Sequence, residues 1–229
     1  MQYKLLALAT LTAIGALRAD VLYNQPSVWS ATGGVGTGWT DEETAAGTGF
    51  QTFDNFSITT GGSIVQVSWQ GLYIQQTQFI NELPNTTSWD LNFYANNAGV
   101  PGTLLASTNL LEAQLSTVDL GKGTFGGVTF DIYQMTATIP SFAAAAGTTY
   151  WFSPFSHNPN ESAKFIWIDA TGGDSIAHQI RLTAGATTGT FVIPGDRAFE
   201  LLSAPEPSAL WLVGAGCLLI PRLRKRATA

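Results

Sequence analysis

Val65-Gln-Val-Ser-Trp-Gln-Gly-Leu-Tyr73 alternates apolar and polar side chains over most of its length. On an extended chain Val65, Val67, Trp69 and Tyr73 point one way, and the polar side chains between them point the other way. A period of two is typical of a strand that buries one face in a core and turns the other to solvent. The stretch therefore predicts an antiparallel β protein.

The same period recurs along the chain, beginning with Trp89-Asp-Leu-Asn-Phe-Tyr-Ala95. Further strand candidates are residues 50–59, 128–139, 148–155, 164–169, 177–183, 190–193 and 197–202. Residues 104–115 suit either a helical or a strand period, and we favour a strand followed by a loop. Residues 30–49 are Gly-rich and show no strand period. About nine or ten short strands without helices between them predict an all-β, antiparallel β-sandwich of jelly-roll-like topology.

The N-terminus has the pattern of a secretory signal peptide. Lys4 precedes an apolar stretch over residues 5–17, and Ala19 offers signal peptidase a small residue. Cleavage after Ala19 defines residues 1–19 as the signal segment, with a helical apolar part. The 185 residues from 20 to 204 fit a single domain.

The C-terminal segment, residues 205–229, has three parts in a fixed order. Pro205, Glu206 and Pro207 come first, and an apolar run over residues 208–220 follows. The basic end consists of Arg222, Arg224, Lys225 and Arg226. A helix of these 13 apolar residues spans about 20 Å, short of the roughly 30 Å hydrocarbon core of a bilayer. We expect a short transmembrane helix that anchors the chain only transiently, with its positive end on the cytoplasmic side.

This order of motifs closely resembles the PEP-CTERM sorting signal of Gram-negative bacteria. The resemblance implies recognition by an exosortase, processing near Pro205–Pro207, and delivery from the inner membrane to the cell surface or extracellular matrix. Val100-Pro-Gly-Thr-Leu-Leu-Ala106 and Asp196-Arg-Ala-Phe-Glu-Leu201 also look like parts of the β-sandwich domains that such proteins carry. The resemblance implies architecture and export, and no reaction.

Charge and cysteine content limit the partners of the domain. Residues 20–204 contain 15 acidic side chains against 4 basic ones, a net charge of −11. Such a domain is repelled by nucleic acid and by anionic membranes, so we expect to find neither among its partners. The only cysteine, Cys217, lies in the tail, so the domain has no internal disulfide.

Catalytic motifs are missing from the sequence. There is no Gly-x-Ser-x-Gly elbow, no His-Glu-x-x-His and no Walker loop. His157 lies in a turn-like composition and is expected on a surface loop, whereas His178 is expected on a strand. Neither is flanked by residues that suggest a zinc site. Acidic residues are abundant, but no motif singles out a glycosidase pair.

Calcium is the only inorganic partner that the sequence suggests, and no other cofactor is expected. Asp169 and Asp174 flank one acidic loop, and Asp41-Glu-Glu43 forms another; hard oxygen ligands in loops suit calcium. Neither matches the spaced Asp-x-Asp-x-Asp-Gly pattern. We take Asp169 and Asp174 as the candidate metal ligands.

Six tryptophans lie in the domain. Trp69, Trp89, Trp151 and Trp167 fall in strand patterns and are predicted to be core residues. Trp29 and Trp39, near and within the Gly-rich segment, are candidates for sugar contact; the alternative is that they plug an end of the sandwich.

These features predict an exported, non-enzymatic surface or matrix protein with a structural or adhesive role linked to exopolysaccharide. The alternative is a carbohydrate-binding module, and a secreted enzyme such as a glycoside hydrolase comes third.

Overall fold

The computed structural model describes residues 19–29, 37–75, 86–125, 128–159 and 163–204. The rest of the expected signal helix and the whole C-terminal sorting segment lie outside the described residues. Asp20–Ala204 form one compact unit with its own hydrophobic core. In the described ranges no helix is long and apolar enough to cross a membrane.

The expectation of an all-β fold is confirmed. The described strands are β1 (Val21–Gln25), β2 (Gly38–Thr40), β3 (Glu42–Thr44), β4 (Gly49–Ser57), β5 (Gly62–Gln75), β6 (Ser88–Asn97), β7 (Val100–Leu111), β8 (Ser116–Phe125), β9 (Val128–Ala144), β10 (Thr149–Asn158), β11 (Ala163–Ala170), β12 (Ile176–Thr183), β13 (Ala186–Pro194), β14 (Asp196–Arg197) and β15 (Phe199–Ser203). A 3-10 turn over Glu112–Gln114 follows β7, which confirms the expected strand and loop over residues 104–115.

The strands form two sheets in a sandwich-like arrangement. The first sheet has the order β1-β15-β5-β11-β14, with β9 on β5, β8 on β9 and β2 on β11. The second has the order β13-β12-β4-β3-β10-β6-β7. One pairing departs from the expected antiparallel pattern: β3 runs parallel to β10, with Glu42 opposite Ser156.

The period-two stretch forms the middle of β5, and the four apolar side chains expected in the core pack there with one exception. Val67, Trp69 and Tyr73 are buried. Val65 is only half-buried, because the β5–β9 register shifts between Ile64 and Gln66 and Ile64 enters the core instead. A bulge of this kind reverses the side-chain alternation locally, which a strict period cannot anticipate.

Aromatic rings from both sheets meet in the main core. The ring of Phe152 on β10 lies 5.4 Å from that of Phe199 on β15 and 5.9 Å from that of Trp167 on β11. Trp69 and Trp89 make a similar contact between β5 and β6, at 5.1 Å. Such pairs add about 0.5–1.5 kcal/mol each to the effect of buried area. The prediction that the four strand tryptophans are core residues is confirmed, since each is at most 1% exposed.

A second, smaller core lies on the opposite face of the first sheet. Ile166 and Ile168 alternate along β11 with Phe165 and Trp167, which face the main core. The buried members of this second cluster are Leu72, Phe130, Ile132, Ile166, Ile168, Ala170 and Ala198. The first sheet is thus buried on both faces at this end.

The Gly-rich segment shows no strand period, yet its described part contains β2, β3 and the start of β4. The chain passes from the first sheet to the second at Asp41, which is fully buried. The Asp41 N–H donates to Phe165 O at 3.1 Å, and Asp41 O accepts from Ser156 N and Oγ at 3.3 and 2.9 Å. Corners where a strand changes sheets are irregular, and therefore lack the alternation of a continuous strand.

Gly71 on β5 is a site where only glycine fits. A Cβ there would overlap the Phe165 ring and lie 2.6 Å from Ile166 O. Gly71→Ala is therefore expected to destabilise the domain by about 1–3 kcal/mol, through overpacking. Gly61→Ala is the control, because its Cβ would meet its nearest neighbours at 3.5 Å. Urea unfolding of residues 20–204 measures both variants; equal midpoints for the two would contradict this packing.

Candidate functional site

An open cleft of about 400 Å³ lies where β2 and β11 of the first sheet meet β3, β4 and β12 of the second. We call it the Lys164–Arg181 cleft. Its lining residues are Thr40, Glu42, Thr44, Thr48, Gly49, Phe50, Lys164, Arg181, Leu182 and Thr183. The volume falls in the range of roughly 300–1,000 Å³ that is usual for small-ligand sites.

Backbone hydrogen bonds hold the rim of the cleft. The turn between β3 and β4 is closed by Gly47 N donating to Thr44 O at 2.9 Å, with Gly47 at a φ of 69°. Gly185, in the β12–β13 turn, donates its N–H to Gly47 O at 2.8 Å. The hydroxyls of Thr44 and Thr48 are 2.8 Å apart. The two turns are therefore joined, and the threonines are held in place before any ligand binds.

Glu42 forms the buried acidic wall of the cleft. Its Oε2 accepts from the Phe165 N–H at 2.9 Å and from Asn158 Nδ2 at 3.4 Å. Burial raises the pKa of Glu42 to about 7, although these hydrogen bonds and the nearby charge of Lys164 act in the opposite direction. The carboxyl is therefore partly protonated at neutral pH, unlike an ordinary glutamate.

Both cations of the cleft lack an ion-pair partner among the residues that the structure describes. The ion pairs of Lys and Arg in the described part of the chain are Lys122–Asp131 and Arg197–Asp169. The other two basic side chains of the domain are Lys164, which is half-buried, and Arg181, which is exposed. Both line this cleft. Within the described ranges, the cleft is therefore where this acidic domain presents positive charge that no carboxylate pairs.

Asp41 and Glu42, which the sequence suggested as part of one acidic loop, point to different places. Asp41 Oδ1 accepts from Thr52 N on β4 at 2.9 Å, whereas Glu42 is bonded to Phe165 on β11. Burial raises the pKa of Asp41 well above its usual range. Its Oδ2 is buried without a hydrogen-bond partner among the described residues. Burial therefore disfavours the charged form of Asp41 at the corner between the sheets.

Asp169 and Asp174, the candidate calcium ligands, are both held by protein donors. Asp169 Oδ2 accepts from Thr37 N at 2.9 Å, and Asp169 pairs with the Arg197 guanidinium. Asp174 Oδ1 and Oδ2 accept from Ile176 N at 3.0 Å and Asn55 Nδ2 at 2.8 Å. No group of three or more His, Cys, Asp or Glu side chains in the described ranges could hold a metal ion. Calcium binding by this pair stays a prediction.

Arg197 is the centre of a structural polar network beside that loop. It is fully buried, and its guanidinium also donates to Pro194 O at 2.7 Å. Its backbone N–H donates to Asp54 Oδ2 at 2.5 Å. Asp196 accepts from Gly173 N and Ser175 N at 2.9 and 2.7 Å. These contacts fix the β11–β12 loop.

Trp29 and Trp39, the candidate sugar contacts, are both partly buried and lie outside the cleft. Trp29 packs against the second hydrophobic cluster, and Trp39 pairs with Trp167 across β2 and β11. The indole N–H of each is buried, with no acceptor among the described residues. Neither side chain forms a fully exposed aromatic platform. A role in sugar binding stays a prediction.

A smaller polar groove of about 270 Å³ lies at the first sheet. Its lining residues are Asn24, Gln25, Pro26, Ser27, Ser68, Trp69, Gln70, Gln134, Phe199 and Glu200. The lining contains amides, hydroxyls and one carboxylate, and no Lys or Arg side chain. This groove differs from the Lys164–Arg181 cleft chiefly in charge.

His157 is not the surface-loop residue that its neighbours in sequence suggested. It lies on β10, half-buried, with Nε2 2.8 Å from Asp90 Oδ2 and Nδ1 3.5 Å from Glu43 Oε2. The hydrogen bond with Asp90 raises the pKa of His157. His178 lies on β12 as expected, and it is buried.

Sequence reasoning missed the cleft, although one signal pointed towards it. Only 4 basic side chains occur among residues 20–204, so the position of each one affects where an anion could bind. The fold is needed to show that two of them converge. Comparison with known proteins gave no matching family model, no matching curated protein and no matching solved structure.

Glu42→Gln is expected to change how stability depends on pH. A carboxyl whose pKa is raised on folding, here from 4.5 to about 7, gives its full contribution below its unfolded pKa and loses it as pH rises through the folded value. The variant should therefore match the parent near pH 4 and exceed it at pH 8, by up to about 3 kcal/mol.

Urea unfolding at the two pH values measures this difference. Glu200→Gln, which removes a half-buried carboxylate from the first sheet, is the matched control. A Glu42→Gln variant that is less stable than the parent at pH 8 would contradict the assignment.

Proposed function

We propose that this chain is an exported, non-enzymatic protein of the cell surface or extracellular matrix of a Gram-negative bacterium. Signal peptidase removes residues 1–19, and the C-terminal tail holds the chain transiently in the inner membrane. An exosortase then recognises the tail and processes it near Pro205-Glu206-Pro207. The domain that remains has a structural or adhesive role linked to exopolysaccharide.

The order of motifs after the last strand carries this proposal. β15 ends at Ser203, and the Pro-Glu-Pro motif begins two residues later. The apolar run and the basic end follow without a linker. A folded domain that ends directly at the processing motif is consistent with a tail whose role is to direct the domain to its destination.

The second candidate is a carbohydrate-binding module, and the Lys164–Arg181 cleft favours it. The cleft has the volume, the hydroxyl groups and the aromatic side chain that suit a small saccharide. A glycoside hydrolase or other secreted enzyme remains third, because the sequence carries no catalytic motif. The jelly-roll-like topology and the calcium ligation by Asp169 and Asp174 remain predictions.

The sorting proposal is tested in a host that has an exosortase. Replacing Pro205 and Pro207 together by Ala should leave an unprocessed chain in the membrane fraction, because the processing motif is lost. Thr228→Ala, beyond the basic end, is the control and should be processed like the parent. Immunoblotting and intact-mass measurement of the membrane and surface fractions report the outcome. Normal processing of the double variant would contradict the proposal.

A further inference from the structure

We propose that the Lys164–Arg181 cleft binds a carboxylated sugar, a uronate unit of an acidic polysaccharide. This inference rests on the proposed adhesive role and names the class of ligand. The supporting observations are the two cations of the cleft, the state of Glu42, the lining residues and the net charge of the domain.

The first argument is the placement of the cations. Residues 20–204 carry a net charge of −11, so a basic side chain in this domain has many carboxylates to pair with. Two of the 4 basic side chains do so. Lys164 and Arg181 come from different sheets and reach the same opening without an ion-pair partner among the described residues. An anionic ligand would supply the missing partner.

The second argument is the state of Glu42, the carboxyl that lines the same cleft. Its Oε2 is already bonded to the Phe165 N–H at 2.9 Å, and burial disfavours its charged form. Glu42 therefore neutralises the two cations only in part. A ligand carboxylate that meets them from the solvent side has Arg181 as a two-pronged donor and Lys164 as a point charge.

The third argument is the remaining lining, which suits a sugar ring. Thr40, Thr44, Thr48 and Thr183 line the cleft together with Phe50. Hydroxyl groups donate to and accept from sugar hydroxyls, and an aromatic ring packs against the apolar face of a sugar. A site for a bare anion needs neither. The lining and the charge together fit a sugar that carries one acidic group.

The net charge of the whole domain further restricts the class of ligand. A net charge of −11 repels polymers with dense charge, such as nucleic acids. A single uronate unit carries one carboxylate, and its hydroxyls can use the threonine lining. One uronate unit at the cleft therefore meets the local attraction while adding a single negative charge to the long-range repulsion.

The test is isothermal titration of residues 20–204 with trigalacturonate, and with galactotriose as the neutral counterpart. We expect saturable binding of trigalacturonate only. Lys164→Gln and Arg181→Gln should each weaken it by about tenfold or more, since a hydrogen bond to a charged group contributes about 1.5–3 kcal/mol. Lys122→Gln removes the same charge from an exposed site elsewhere and should change binding less than twofold. Thermal melts confirm that each variant is folded.

Three results would overturn the inference. They are equal binding of the two trisaccharides, variants that bind like the parent, and poly-L-glutamate binding that matches trigalacturonate and needs the same two cations. The last result would mean recognition of carboxylate without sugar.

Exopolysaccharide purified from the native host separates this inference from the proposed function. If it sediments with the domain while trigalacturonate does not bind, the uronate inference fails and the adhesive role stands. If neither binds, both fail.

Discussion

The contact between aromatic rings of the two sheets is the interaction on which the rest of the domain depends. Phe152 on one sheet packs against Phe199 and Trp167 on the other, and Trp69 meets Trp89 nearby. With no cysteine among residues 20–204, no disulfide can replace this contact. The positions of the strands follow from it, because each strand must deliver its large side chains to the same layer. The Lys164–Arg181 cleft lies where strands of the two sheets meet, and its lining is mostly polar, with Phe50 and Leu182 as the large apolar residues.

Burial also reshapes the electrostatics of this acidic domain. Desolvation raises the pKa of Asp41, Glu42 and Asp54, because burial disfavours the charged form of each carboxyl. The buried guanidinium of Arg197 forms an ion pair with Asp169. Lys164 and Arg181 line one opening without an ion-pair partner in the described part of the chain. Local charge and net charge therefore have opposite signs at the cleft, which is how an acidic protein can accept an acidic ligand.

Much of the fold could be predicted from the sequence, and the misses have physical causes. Alternation along β5 and β6 revealed the strands and the buried tryptophans, because that signal is local. The predicted burial of Val65 was wrong, because the partner strand sets the register shift at this point. The strands β2 and β3 were not predicted, because each is three residues long and pairs with a strand distant in sequence. The prediction of His157 as a surface-loop residue was wrong, because its partner Asp90 lies 67 residues away in the sequence.

The candidate site was less predictable than the fold. Composition suggested Trp29 and Trp39 as sugar contacts, but both are partly buried. Trp39 lies on a paired strand, and Trp29 packs against the second hydrophobic cluster. The cleft depends on Lys164 and Arg181 approaching from separate sheets, and spacing in the chain does not reveal that. The sequence did show how few cations the domain has, and the structure shows where they meet.

A crystal structure of residues 20–204 with trigalacturonate tests the central claim most directly. The account predicts a sugar in the Lys164–Arg181 cleft, with its carboxylate about 3 Å from Lys164 Nζ and from the Arg181 guanidinium. A sugar bound in the polar groove beside Gln134, or against Trp29, with the cleft empty, would contradict it.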